Sequence, residues 1–272
     1  MTVIMARPRA SAILTAGVIA ILLCETLARG ALQSVIEGAI VRGPVDRRQV
    51  ALVFTGHEHA EGATTILDVL SRRKMRASFF LTGAFLRDPA KGALVRRMVG
   101  DGHYVGAHSD AHLLYAPWTG PKVTRVSRDE FVTDLERNYE ELRRFGVTRG
   151  GAHYFLPPYE WYTSEIAAWT RSMGLTLVNY TTGTRSNADY TGEGTPQFVP
   201  SEAIFQSILA REREDPHGLN GYLLLLHVGA GPGRTDKFHE RFDELAARLI
   251  DRGYTFVGVD TLLTEQASKG PQ

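Results

Sequence analysis

Cysteine is almost missing from this chain, which has one, Cys24, in 272 residues. A single thiol excludes a disulfide framework and a cysteine-built zinc module. A surplus of charge is missing too: 31 Lys and Arg stand against 30 Asp and Glu, a net charge of +1. Proteins that hold nucleic acid by neutralising phosphates show a basic excess, so no nucleic-acid partner is expected. The longest apolar run also falls short of the roughly 20 residues that span a bilayer. What remains is ordinary globular composition, with 43% hydrophobic and 22% charged residues. Any metal chemistry must fall to histidine and carboxylates.

That apolar run is N-terminal. Arg7 and Arg9 precede residues 10–24, and small residues follow near Ala28. The pattern reads as a signal peptide over residues 1–28. Cleavage there removes two arginines, Glu25 and Cys24, taking the net charge from +1 to zero and leaving no thiol. Such a chain suits export to a periplasmic or extracellular compartment. If uncleaved, the same segment is the expected membrane contact. Residues 29–48 read as a linker, 49–266 as one domain and 267–272 as a tail.

From residue 49 onward, strand and helix patterns alternate. The run 50–54 is a buried strand by length, and 64–73 carries Ile66, Leu67 and Leu70 at helical spacing. Strands are expected at 76–81, 104–107, 154–156, 175–180, 222–227 and 254–259. Helices are expected at 85–99, 164–173, 201–213 and 236–252. Ser127-Arg128-Asp129-Glu130 is a capping box opening a further helix, with Phe131, Leu135, Tyr139 and Leu142 in one stripe. The polar segment 181–200 is long for a compact domain, which points to function. Repeated β-α units imply a parallel sheet or barrel.

The nine histidines are unevenly placed: His57, His59, His103, His108 and His112 fall within 56 residues, and His227 ends the most apolar strand. Barrel chemistry gathers at the C-terminal ends of strands, where His57-Glu58, His108 and His227 all lie. On a helical turn, His108 and His112 share one face and can share one zinc ion. His57 supplies a third ligand and Glu58 a carboxylate. Glu160, after Pro157-Pro158-Tyr159, and Arg185 and Asp189-Tyr190, in the long loop, are further candidates. His103, in a turn after Gly102, reads as structural.

These residues, in this order, resemble the polysaccharide deacetylases with a NodB-type domain, the fourth family of carbohydrate esterases. Gly102-His103-Tyr104-Val105-Gly106-Ala107-His108-Ser109-Asp110-Ala111-His112 resembles the family's G-H-E-I-G-N-H-[ST]-x-x-H element, whose two later histidines bind metal. Ala77-Ser78-Phe79-Phe80-Leu81-Thr82-Gly83 resembles its A-T-F-F-x-x-G strand. Leu223 to His227 resembles the strand carrying the family's general acid, and Gly253-Tyr254-Thr255-Phe256-Val257 its closing strand. The resemblance implies a single distorted seven-stranded β/α barrel and removal of acetyl groups from an amino sugar or acetylated polysaccharide, by hydrolysis of a linear amide. It also implies a divalent metal, zinc by its ligand types.

Two departures stand out. The family's T-F-D-D-G reads Val53-Phe54-Thr55-Gly56-His57 here, without either Asp, and the Arg of R-x-P-Y-G is replaced by Leu156. A rebuilt site would use His57 with His108 and His112 as ligands, Glu58 as base and His227 as acid, with Asp189 orienting His227. In a close variant Glu58 is a ligand and Glu160 the base. The competing readings are a sugar-binding pseudoenzyme on the same barrel and a glycosidase using Glu58 and Glu160 as its carboxylate pair.

Overall fold

The computed structural model describes residues 33–264, so the expected signal peptide and tail lie outside the described residues. Its centre is β3 (Gln49–Gly56), in which Val50 to Phe54 are at most 1% exposed. A strand covered on both faces needs a continuous apolar run rather than alternation, which is what 50–54 supplies. β3 pairs in parallel with β4 (Ser78–Leu81), β8 (Tyr222–His227) and β9 (Thr255–Val257). Beyond β4 follow β5 (Tyr104–Ala107), β6 (Tyr154–Phe155) and β7 (Thr176–Leu177), all parallel. An isolated bridge from Ile40 to Val178 and the bond from Asn179 N to Ile40 O (2.8 Å) bring the far side of the sheet round, so it curls into the distorted barrel.

Register decides where the chemistry goes. Thr55 lies opposite His227 on one side and Phe80 on the other, while Leu81 lies opposite Ala107 and Ala107 opposite Phe155. The C-terminal ends of five strands therefore meet at one rim. Beneath it, Phe54 stacks on Phe79 at 5.3 Å and meets the edge of Phe242 at 5.6 Å. Truncating Phe54 to Ala would cost about 3–5 kcal/mol, through lost burial and the cavity left behind.

The linker expected at 29–48 is corrected by two strands within it. β1 (Ser34–Ile36) and β2 (Ala39–Arg42) form an antiparallel hairpin. Its turn residues, Glu37 and Gly38, both have positive φ (46° and 86°), the condition for a tight hairpin. β2 then pairs antiparallel with β8, anchored by Arg42, whose guanidinium donates to both carboxylate oxygens of Asp215 at 2.9 and 3.3 Å.

The helix expected over 85–99 is two, Gly83–Arg87 and Gly92–Gly100. Pro89 between them lacks an N–H and biases Asp88 to the extended conformation it shows (ψ 114°). The helix expected at 236–252 begins as a 3₁₀ turn, Phe238–Arg241, before Phe242–Asp251. The capping box forms as read, with Arg128–Arg143 behind it and Phe131, Leu135, Tyr139 and Leu142 buried. Among the described residues no helix is long and apolar enough to cross a membrane.

Candidate active site

A pocket of about 390 Å³ opens at the rim where the strand ends meet, lined by Thr55, His57, Glu58, His59, His108, His112, Tyr159, Glu160, Tyr190, His227, Gly229 and Ala230. Of the residues singled out from sequence, His57, Glu58, His108, His112, Glu160, Tyr190 and His227 line it, and Asp189 bonds His227 from behind.

The histidine loop is not the helical turn expected of it. Residues 108–112 are irregular, and Ser109 and His112 both take left-handed backbone conformations (φ 71° and 55°). The i, i+4 geometry sits instead on the helix Arg128–Arg143, which holds the loop from below. Its Asp134 accepts from Asp110 N (3.0 Å) and Ala111 N (2.8 Å), and its Asn138 accepts from His108 N (2.9 Å). Asn138 also donates to Leu81 O at 3.1 Å, tying the loop to β4. Arg87 pairs with Asp110. Gly83 is required at that contact, because a Cβ there would fall 1.7 Å from Asp110 Oδ1.

His108 is buried and donates from Nδ1 to Leu156 O at 2.8 Å, which leaves Nε2 as the acceptor. Burial pulls its pKa down to about 3 against that hydrogen bond. Burial likewise takes His112 to about 2, helped by the neighbouring histidines. His57, 3.1 Å from Thr82 Oγ1, is also lowered, chiefly by burial. All three are therefore neutral imidazoles near pH 7, the form that ligates metal. Their donor chemistry suits a divalent ion such as zinc. They are not yet gathered round one point: His57 lies flat on His112, with centroids 4.3 Å apart and planes 16° from parallel, and His108 is 5.2 Å from His112. Among the described residues no group of three or more His, Cys, Asp or Glu side chains stands arranged to hold an ion.

The remaining groups are acid and base. His227 donates from its backbone N–H to Asp189 Oδ2 at 2.9 Å and from Nδ1 to Oδ1 at 2.6 Å. Burial alone would lower its pKa, but the Asp189 carboxylate reverses this and Glu160 adds to it, so the net shift is upward. Glu160 ends the 3₁₀ turn Pro158–Glu160, where both it and Tyr159 have positive φ (53° and 60°). Left-handed backbone at two successive non-glycine residues stores strain of about 1–3 kcal/mol each, a feature concentrated at functional sites. Burial raises the Glu160 pKa to about 7; Asp189 pushes it further up and His227 pulls it back. Glu58 differs: its side chain is 72% exposed and lies 3.8 Å from His57 Nε2 and 3.9 Å from His59 Nε2.

At the strand end, Thr55 takes the place of the resembled family's first Asp. It is buried, lines the pocket, and its Oγ1 has no hydrogen-bond partner. Arg185 is exposed and outside the lining, and His103 accepts from Ala77 N away from the site. No pattern in the sequence marks Arg234, which is fully buried and donates to Ala188 O, Thr191 O and Val199 O. Those bonds pin the loop that carries Asp189. Tyr190, in sequence only the neighbour of Asp189, packs its ring on His227 at 4.4 Å.

The polysaccharide deacetylase family model matches residues 42–178. The chain is similar to a chitooligosaccharide deacetylase of Sinorhizobium fredii, 28% identical over 75% of this chain and 87% of that one. It is also similar to the peptidoglycan-N-acetylmuramic acid deacetylase PdaA of Bacillus subtilis, 25% identical over 88% of this chain and 81% of the relative. The solved structure of PdaA superposes with a TM-score of 0.66 at 22% identity, covering 85% of this chain and 86% of that one. A pseudoenzyme of the fourth carbohydrate esterase family from Bacillus anthracis has the same fold, with TM-score 0.65 and 17% identity over 84% of this chain and 69% of that one.

Proposed function

The chain belongs to the polysaccharide deacetylase family, and we propose that it hydrolyses the acetamide of an acetylated amino sugar in a saccharide or polysaccharide. The observation that carries this is one pocket lined by the neutral imidazoles of His57, His108 and His112 together with Glu160 and the His227 that Asp189 holds. Residues 1–28, read as an export signal, would deliver the enzyme to envelope or extracellular saccharides.

Glu160 is the general base. Its pKa of about 7 matches the optimum for proton transfer near neutral pH, whereas Glu58 is exposed to solvent at the mouth. Glu160 takes a proton from water as the water oxygen bonds to the acetyl carbon. His227, whose pKa Asp189 raises against its burial, gives a proton to the sugar nitrogen as the C–N bond breaks, releasing acetate and a free amine. His108 and His112, with His57 the third imidazole, would hold a divalent ion such as zinc, which would supply Lewis acidity toward the carbonyl and toward water. Thr55 and Gly56 carry no carboxylate, so Glu160 takes up the role of the missing base from across the pocket.

Acetate release from an N-acetylglucosamine oligomer tests the reading. Activity should disappear with chelator and return with added zinc, and His108→Ala or His112→Ala should lose bound metal and activity together. The absent Asp pair favours a second reading, a binding pseudoenzyme. Saccharide binding without acetate release, at any metal loading, would establish it.

A further inference from the structure

Among the described residues Arg234 is the largest side chain to be fully buried. Its guanidinium has five N–H groups, and the fold supplies five acceptors. Nε donates to Asp236 O at 2.6 Å, and Nη1 to Thr191 O at 3.1 Å and Ala188 O at 3.4 Å. Nη2 donates to Val199 O at 2.9 Å and Ser201 Oγ at 3.0 Å. The Phe198 ring lies 5.0 Å from the guanidinium carbon. The one carboxylate within 4 Å among the described residues, that of Asp236, stands at 3.6 Å. A buried charge of this kind is weak evidence for stability, because an apolar side chain of similar volume often does as well. Its value is geometric: a planar fork fixes five acceptors at once, which neither Lys nor Met can do.

Two of those acceptors, Ala188 O and Thr191 O, bracket Asp189 and Tyr190, both of which meet His227. Arg234 stands seven positions after His227, on the loop that leaves β8. The contacts therefore close a ring, from His227 along the loop to Arg234, across to residues 188–191, and from Asp189 back to His227. Gly229, Gly231 and Gly233 make the loop's half of this ring intrinsically loose. Glu61 pins its middle, accepting from Ala230 N and Gly231 N at 2.8 Å each, and Arg234 pins its end. Glu193 ties the two loops again, accepting from Thr235 N and Asp236 N at 3.0 and 2.9 Å. Arg234 itself is outside the pocket lining, so it acts only through what it holds.

We infer that Arg234 is the positioning residue of the acid: it keeps Asp189 and Tyr190 against His227, so that the imidazole has one orientation in the pocket. The inference rests on the deacetylase reading for what the acid does, and adds the residue that keeps it in place.

The test uses the full chain and its Arg234→Lys, Arg234→Met and Ser201→Ala variants, with two readouts. The first needs no turnover. The proton on His227 Nδ1, in a 2.6 Å bond to a carboxylate, should give a low-field proton NMR resonance that Asp189→Asn abolishes. In Arg234→Lys and Arg234→Met it should broaden into water while the dispersed resonances of the folded core remain. Ser201→Ala removes one acceptor of the guanidinium and leaves Asp189, Tyr190 and His227 intact. It should weaken the same resonance, and it decides the matter if the Arg234 variants fail to fold.

The second readout is acetate release from an N-acetylglucosamine oligomer. Each Arg234 variant should lose about tenfold to a hundredfold in kcat, as expected for a misplaced reacting group, with KM within about twofold. Arg234→Met should add little to that loss once Asp189→Asn is in place, because the two act through one contact. A sharp low-field resonance in the folded variants, a wild type without the resonance, or losses that multiply with Asp189→Asn would overturn the positioning role. No acetate release by the wild type would overturn the deacetylase reading and leave the resonance to decide whether Arg234 holds the pair.

Discussion

His227 and Asp189 are joined at two points, backbone N–H to Oδ2 at 2.9 Å and ring Nδ1 to Oδ1 at 2.6 Å. The first bond fixes the carboxylate relative to β8 and the second fixes the tautomer, so Nε2 is the atom left to deliver a proton. Together they make the imidazole a cation that persists to higher pH than a free histidine.

Asp189→Asn removes the charge and keeps the side chain's shape. The pKa of His227, raised above its ordinary value by the carboxylate, should then fall under the burial that remains. Its acid form is lost as pH rises through that pKa, so the alkaline limb of kcat/KM should move to lower pH. A pH profile of acetate release measures the shift, and an unmoved alkaline limb would remove His227 as the acid.

Asn138 is fully buried and bonded at both ends of its amide, to His108 N and Leu81 O. Asn138→Ala strands one backbone donor and one acceptor, and an unsatisfied buried group costs about 1–3 kcal/mol. Denaturant unfolding should report a loss of that order. Zinc affinity should fall as well, because His108 loses its anchor. Full metal affinity in a destabilised variant would confine Asn138 to folding.

Restoring the missing carboxylates should not restore anything. A Cβ at Gly56 would lie 2.8 Å from Leu81 Cδ2 and 3.0 Å from the Phe85 ring, so Gly56→Asp is expected to destabilise the chain by about 1–3 kcal/mol through overpacking. Thr55→Asp avoids that clash and places a carboxylate in the pocket. With Glu160 already the base, acetate release in Thr55→Asp should stay level or fall. A gain of tenfold or more would mean that the native pocket lacks a working base.

Much of this was legible in the residues because it is local. The run 50–54, the Ser127–Glu130 capping box and the placing of His57, His108 and His227 after strands each depend on a few neighbouring positions. What escaped depends on distant partners. The hairpin around Glu37-Gly38 is held by Arg42 reaching Asp215, 173 positions away. The left-handed backbone at His112 follows from Asp134 and Asn138 holding the loop, and no pattern within 108–112 announces them. The balance between Glu58 and Glu160 turns on burial. In sequence they are two carboxylates near histidines; in the fold one is 72% exposed and the other is pushed to a pKa of about 7.

That difference gives the most direct measurement, acetate release by Glu160→Gln and Glu58→Gln, each with its zinc content determined. Glu160→Gln should keep its metal, lose about 10²–10⁴-fold in kcat, the usual contribution of a positioned base, and lose the acid limb near pH 7. Glu58→Gln should stay within about tenfold of wild type, as expected for a solvated carboxylate at the mouth. A large loss in Glu58→Gln with Glu160→Gln near wild type would contradict the account.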